Sequence, residues 1–368
     1  MMSEAPGILS DRMIANLYDQ GAVLSTKPLD ADQIQPASLD LRLGDKAYRV
    51  RASFLPGAAS SVSEKLQRHT LHEFDLSEGA VLETGCVYIV PLLESLNLDS
   101  DTSASTNPKS STGRLDIFTR VITDRSPQFD TITSGYSGPL YLEISPRTFP
   151  IIVRTGSRLA QLRLRTGECS IGQAGLVELQ AREILVDTQH PEISRGGIGL
   201  SIDLAGEEGE LVGYRGKRHT AVVDVDKPNS YNVEAFWEPI IQVGSKQLVL
   251  DPDQFYILVS QEAVHVPPDY AAEMVPFDPL VGEFRVHYAG FFDPGFGHSS
   301  AGGTGSKAVL EVRSHEVPFL LEHGQIVGRL VYETMLERPK KLYGSDLGSH
   351  YQKQGLKLSK HFRSASQD

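Results

Sequence analysis

The stretch KSSTGRL, residues 109–115, sets Ser110 and Ser111 ahead of Arg114, with Gly113 between. Hydroxyls, a small-residue backbone and a guanidinium are groups that wrap phosphate oxygens, the arginine pairing with two at once. The P-loop pattern G-x-x-x-x-G-K-[ST] is absent. The segment therefore reads either as a phosphate cradle of another kind, with Lys109 at its head, or as a polar surface loop. A second candidate is a glutamate between apolar residues, and it occurs twice: Leu142-Glu143-Ile144 and Leu310-Glu311-Val312. Each either faces solvent from a half-buried strand or sits against apolar surroundings, where its pKa would rise toward the range of a general base. A third is the turn Asp293-Pro294-Gly295 within HYAGFFDPGFG, residues 287–297.

The elements that must position these groups are mostly strands. SLDLRLG (38–44), YLEISP (141–146) and FRVHYAGFF (284–292) alternate apolar and polar residues, punctuated by the chain's 33 glycines and 21 prolines. One short helix is expected first: Ser10 and Asp11 cap it, Met13, Ile14, Leu17 and Tyr18 share a face, and Gly21 ends it. The chain also repeats itself. VYIVPLLESLNLDSD (87–101) aligns with FYILVSQEAVHVPPD (255–269), and LYLEISPRTFPIIVRTGSRLAQL (140–162) with AVLEVRSHEVPFLLEHGQIVGRL (308–330). Tyr88 and Tyr256, Glu94 and Glu262, Glu143 and Glu311, Pro150 and Pro318, and Gly156 and Gly324 all stand 168 positions apart. Upstream, SLDL (38–41) matches SIDL (201–204) at 163. The expectation is two copies of one β domain: 1–165 with the SSTGR loop, 195–335 with the AGFFDPG turn and VLE strand, a junction near 165–195, and a tail over 336–368.

The shared register shows where the copies diverge. Ser110, Ser111 and Arg114 fall opposite Asp278, Pro279 and Gly282, so the second copy lacks the cradle. The first copy has RVITDRSPQFDTITSGYSG (120–138) where the second has its Asp-Pro-Gly turn. Each half reads as keeping what the other dropped, which suggests one composite site. The tail KLYGSDLGSHYQKQGLKLSKHF (341–362) reads as a frayed end or as a lid over a nucleotide.

Composition narrows the class. Hydrophobic residues at 40% and charged residues at 22% indicate a globular chain, and 35 Lys+Arg against 47 Asp+Glu leave a net charge of −12. That balance argues against gripping a nucleic acid backbone, while a few arginines suffice for a small anion. Cys86 and Cys169, the only cysteines, form no C-x-x-C pair, which argues against disulfides and a cysteine zinc site. The start MMSEAPGILSD lacks a basic region followed by an apolar run, and no stretch reaches membrane-spanning length, so a cytoplasmic location is expected.

The motifs resemble those of the dCTP deaminases. ILSDRMIANLYDQGAVLSTKPLDADQIQPASLDLRLG (8–44) is similar to the opening of that family, SSTGRL to its phosphate motif, shared in looser form with the trimeric dUTPases, and AGFFDPGFG followed by VLE to its deoxyribose and base segment. HYQKQG (350–355) resembles its closing tail, with His350 where the family usually has lysine. The match is best to a long, internally duplicated form. It implies a mainly β chain of two tandem dUTPase-like, distorted jelly-roll domains with a short N-terminal helix. It also implies hydrolytic deamination of dCTP to dUTP and ammonia for dTMP precursor synthesis. A glutamate would activate the water, Mg²⁺ would accompany the triphosphate, and zinc would take no part. The zinc deaminase signature, H-x-E with P-C-x-x-C, is indeed absent.

Carried over by residue, the resemblance puts Lys109, Ser110, Ser111 and Arg114 at the phosphates. It puts Asp293 at the sugar, Ala289, Val309 and Leu310 at the sugar and base, and Tyr343, His350, Tyr351 and Gln354 in the lid. Glu311 is the favoured catalytic residue, facing the first copy's cradle as in fused dUTPases that build one site from two halves. Glu143 serves instead if each copy assembles only with itself. Expected partners are a nucleotide, dCTP or dUTP with dTTP as inhibitor, and either further copies of the chain or the paired repeats. Two alternatives stand: a dUTP pyrophosphatase or bifunctional enzyme, in which Asp293 orients the water, and a silent nucleotide-binding scaffold.

Overall fold

The computed structural model describes residues 5–242, 244–276, 284–286, 290–314, 316–344 and 355–363. The chain is mainly β. It divides into two compact units: Met1–Glu168 with His219–Tyr231 and His361–Asp368, and Cys169–Arg218 with Asn232–Lys360.

In the first unit, one antiparallel sheet runs Thr131–Ile132, Thr102–Pro108, Arg158–Thr166, Ser38–Arg42, Ile34–Gln35. A second runs Ile117–Thr123, Ser137–Pro146, Val87–Asn97, Lys46–Val50, Thr70–Asp75. A small third sheet places Val223–Asp224, from the second half of the sequence, parallel to Ile151–Val153. The helix Asp11–Asp19 forms as its signals require. The Ser10 hydroxyl accepts from the Met13 amide, Ile14 and Leu17 are buried, and Gly21 follows with φ 75°.

The second unit repeats the plan. One sheet runs Ile193–Ser194, Gly197–Ser201, Ile326–Thr334, Tyr270–Pro276, Phe291–Phe292, the other Trp237–Ile241, Leu211–Gly216, Phe255–Val264, Ser306–Ser314, Phe284–Val286. The spacing of 168 is a structural register. Glu143 lies opposite Ile89 and Glu311 opposite Ile257; Thr166 pairs with Thr102 and Thr334 with Tyr270.

Three details differ from the sequence expectation. First, the counterpart of SLDLR is GIGLS, not SIDL. Leu39 pairs with Leu162 and Ile198 with Leu330, and the Arg42 amide donates to Glu94 as the Ser201 amide donates to Glu262, which fixes that spacing at 159. The similarity of SLDL and SIDL misled, because alternation sets which residues face inward but not which strand they belong to. Second, the span taken as a junction holds the helix Gly172–Arg182, whose Leu176 and Leu179 enter the second unit's core. Third, the first copy has not lost the turn. Ile132 pairs with Ala104 as Phe292 pairs with Ala272, and Thr133-Ser134-Gly135 occupies the place of Asp293-Pro294-Gly295. Gly135 and Gly295 share positive φ, 73° and 96°, and the Leu98 and Val266 amides donate to the Tyr136 and Phe296 carbonyls. The turn geometry persists while its aspartate has become Thr133.

Candidate active site

The loop at 109–116 is a single helical turn wedged between strands. Lys109 is extended, and its carbonyl accepts from the Thr112 and Gly113 amides; the Arg114 amide donates to Ser110. Asp116, at φ 55°, closes the loop, its carbonyl accepting from the Arg147 amide and its carboxylate from the Thr148 hydroxyl. Ser110 is exposed, whereas Ser111, Thr112, Gly113 and Arg114 are buried. The Lys109 ammonium binds the buried carboxylate of Asp40, on the strand Ser38–Arg42. The segment is therefore an ordered structure rather than a loose surface loop.

Neither glutamate lies on a solvated face: Glu143 is 1% exposed and Glu311 5%. Their strands are buried on both sides through this stretch, so alternation along the strand gives no solvent-facing position. Glu143 has a partner that sequence reading missed. Its Oε1 accepts from Arg120 Nε at 3.1 Å and Nη2 at 2.6 Å, across the pairing of Ile117–Thr123 with Ser137–Pro146. The guanidinium carbon stands 3.5 Å from the Phe129 ring centroid and 4.7 Å from that of Phe118. Glu143 Oε2 is buried and accepts no hydrogen bond among the described residues. Asp130 sits close by, binding the Thr106 hydroxyl at 2.7 Å and the Val121 amide at 2.8 Å. Burial pushes its carboxyl up to about 6, those two bonds and Arg120 opposing the rise and Glu143 adding to it. The only signal for Arg120 and Asp130 would have been the cross-strand register, which spacing along one strand does not carry.

In the second unit the structure brings together Asp293 and Tyr343. Asp293 is buried at the head of its turn, Pro294 accepts from the Tyr343 amide at 2.9 Å, and the Tyr343 ring lies 5.6 Å from that of Phe296. A Cβ on Gly295 would come within 2.9 Å of Leu342 Cβ and 3.1 Å of the Tyr343 amide nitrogen, so that approach needs glycine. Val309 and Leu310 are buried on the strand Ser306–Ser314, opposite Val259 and Leu258. Ala289, His350, Tyr351 and Gln354 lie outside the described residues, as do positions 278, 279 and 282 opposite loop 109–114. Cys86 and Cys169 form no disulfide. Among the described residues no helix is long and apolar enough to cross a membrane, and no cluster of three His, Cys, Asp or Glu side chains is gathered as a metal site.

Comparison with known proteins gives a consistent result. Residues 5–168 match the family model of the 2′-deoxycytidine 5′-triphosphate deaminase N-terminal domain, and residues 172–362 that of its C-terminal domain. A crystal structure of 2′-deoxycytidine 5′-triphosphate deaminase from Agrobacterium tumefaciens is 67% identical, covering 90% of this chain and 99% of that one, with a TM-score of 0.86. Curated relatives described as dCTP deaminase, dUMP-forming include one from Corynebacterium glutamicum, 34% identical over 43% of this chain and 79% of its own length. Another, from Parafrankia sp., is 32% identical over 52% of this chain and 99% of its own. With both halves matched in order and a solved relative matched almost end to end, the chain belongs to the dCTP deaminase family.

Proposed function

We propose that the protein deaminates dCTP hydrolytically, releasing dUTP and ammonia. The observation that carries this reading is the 67% identity to a solved dCTP deaminase over 99% of that chain. A buried strand glutamate kept in register in both copies supports it. The glutamate takes a proton from water as the oxygen bonds to C4 of cytosine, then delivers a proton to the amino group as the C4–N bond breaks and ammonia leaves. A buried carboxylate oxygen with open lone pairs, such as Glu143 Oε2, suits the first step; Glu311 stands at the corresponding strand position of the second copy.

Ser110, Ser111 and Arg114 hold the phosphates, Asp293 the sugar, and Ala289, Val309 and Leu310 the sugar and base. Tyr343, His350, Tyr351 and Gln354 close over them. Mg²⁺ enters as part of the substrate, on the triphosphate. The sheets form distorted jelly rolls of the dUTPase kind, in a cytoplasmic enzyme of pyrimidine deoxynucleotide synthesis.

The test is incubation with dCTP and Mg²⁺, with ammonia assayed and nucleotides resolved by anion exchange. Equal amounts of dUTP and ammonia are expected; dCTP bound but unchanged would leave only a silent scaffold. A second reading, with dUMP and pyrophosphate as end products, is favoured by the description dUMP-forming on the curated relatives. The same chromatogram separates it from the first.

A further inference from the structure

Lys109 heads the phosphate loop, yet its ammonium is already committed. It binds Asp40 Oδ2, and Arg158 Nη1 stands 3.6 Å from the same oxygen. Arg158 Nη2 also binds Asp30 at 2.6 Å and Asp32 at 2.9 Å, and the arginine holds the Asp32 carboxyl below its usual range. The group thus has two cations and three carboxylates. Continuing through Asp30 to Arg42, 3.4 Å away, and on to Glu94, 2.8 Å from Arg42, adds one charge of each sign. One excess negative charge remains, which is a poor setting for a triphosphate and a good one for a buried anchor. Asp40 is only 2% exposed and its strand is paired on both sides, so a bond to it fixes the loop to the sheet.

The second copy has dropped the whole arrangement. In structural register Gly199 replaces Asp40 and Ile326 replaces Arg158, while Phe277 falls opposite Lys109 in sequence. Loss of anchor and loop together is what a dependence between them would produce.

We infer that Lys109 is a positioning residue: tied to Asp40, its ammonium fixes the head of loop 109–114, leaving phosphate to Arg114 and the two serine hydroxyls. This rests on the reading of that loop as the phosphate site. Steady-state kinetics with dCTP on Asp40→Asn, Lys109→Met and the double variant test it. Each single change should raise KM about tenfold with kcat nearly unaltered, and the double should be no worse than the worse single, since both break one link. Lys109→Arg, which keeps a cation for Asp40, should restore most of the loss. If Lys109→Met raises KM a hundredfold while Asp40→Asn leaves it unchanged or lowers it, the lysine contacts phosphate and the inference falls. Amide hydrogen exchange over residues 110–116 in the nucleotide-free protein separates this from failure of the functional reading. Exchange should quicken in both singles and in the double, which has no uncompensated charge and serves if either single fails to fold. Unchanged exchange would overturn the anchor, whether or not dCTP is a substrate.

Discussion

Asp130 accepts two hydrogen bonds, from Thr106 and from the Val121 amide, yet burial outweighs them and pushes its carboxyl up to about 6. The sign of its effect on stability follows. Between its unfolded value near 4 and about 6 the folded state holds the extra proton, so stability declines as pH rises through that window. Asp130→Asn keeps an oxygen for both donors and suits the positive φ of 58°. It should raise stability at pH 7 by up to about 2–3 kcal/mol, the gap closing as pH falls from 6 to 4. Urea denaturation at pH 4.5 and pH 7 measures this, and an equal effect at both values would refute it. At this scale sequence reading located Glu143 and the loop at 109–114, because residue type and neighbours along the chain identify them. It missed Arg120 and Asp130, whose importance depends on what the next strand places opposite.

Two short segments from the second half of the sequence are integral to the first unit. Arg154 Nη1 and Nη2 bind the two oxygens of Asp224 at 2.7 and 2.8 Å, beside the strand pairing of Val223–Asp224 with Ile151–Val153. The guanidinium holds the Asp224 carboxyl down to about 2. That contribution is present above pH 4 and lost as pH falls toward 2. Asp224→Asn should therefore cost about 2 kcal/mol at pH 7 and progressively less below pH 4, read by thermal unfolding across that range.

The second segment is the chain's end. The His361 carbonyl accepts from the Ser230 and Tyr231 amides, its Nε2 lies 2.8 Å from the Val225 carbonyl, and the Phe362 ring packs near Phe149 and Tyr231. Phe362→Ala should destabilise the first unit by about 3 kcal/mol, seen as a lowered urea midpoint; a neutral result would make this end the frayed tail that composition allows. Among the elements, strands with long apolar cores were legible and their spacing of 168 carried directly into the pairing. The shifts to 159 at Gly197–Ser201 and to 160 at the turn were not, because insertions fall in loops, where Thr133-Ser134-Gly135 and Asp293-Pro294-Gly295 share geometry without sharing residues.

Across the whole molecule, the duplication was legible because paired tyrosine, glutamate, proline and glycine positions recur at one spacing. The allotment of chain to units was only partly so: residues 219–231 and those from 361 group with the first unit. The two copies bury similar apolar patterns, so hydrophobicity marks a segment for burial without saying in which unit. The glutamate is retained in both copies, while the segment at 109–114 and the turn's aspartate diverge. If the protein binds dCTP, nucleotide at a hundred times its Kd should stabilise it by about 2.7 kcal/mol, and unfolding with and without dCTP would show this.

In the proposed reaction a strand glutamate drives hydrolysis at C4 of dCTP. The most direct test is ammonia release from dCTP and Mg²⁺ by the wild type, Glu143→Gln and Glu311→Gln, with nucleotide products resolved alongside. Deamination by the wild type is expected, with a loss of about a hundredfold or more in at least one variant, which identifies the copy that works. Intact dCTP in the wild type, or full activity in both variants, would contradict it.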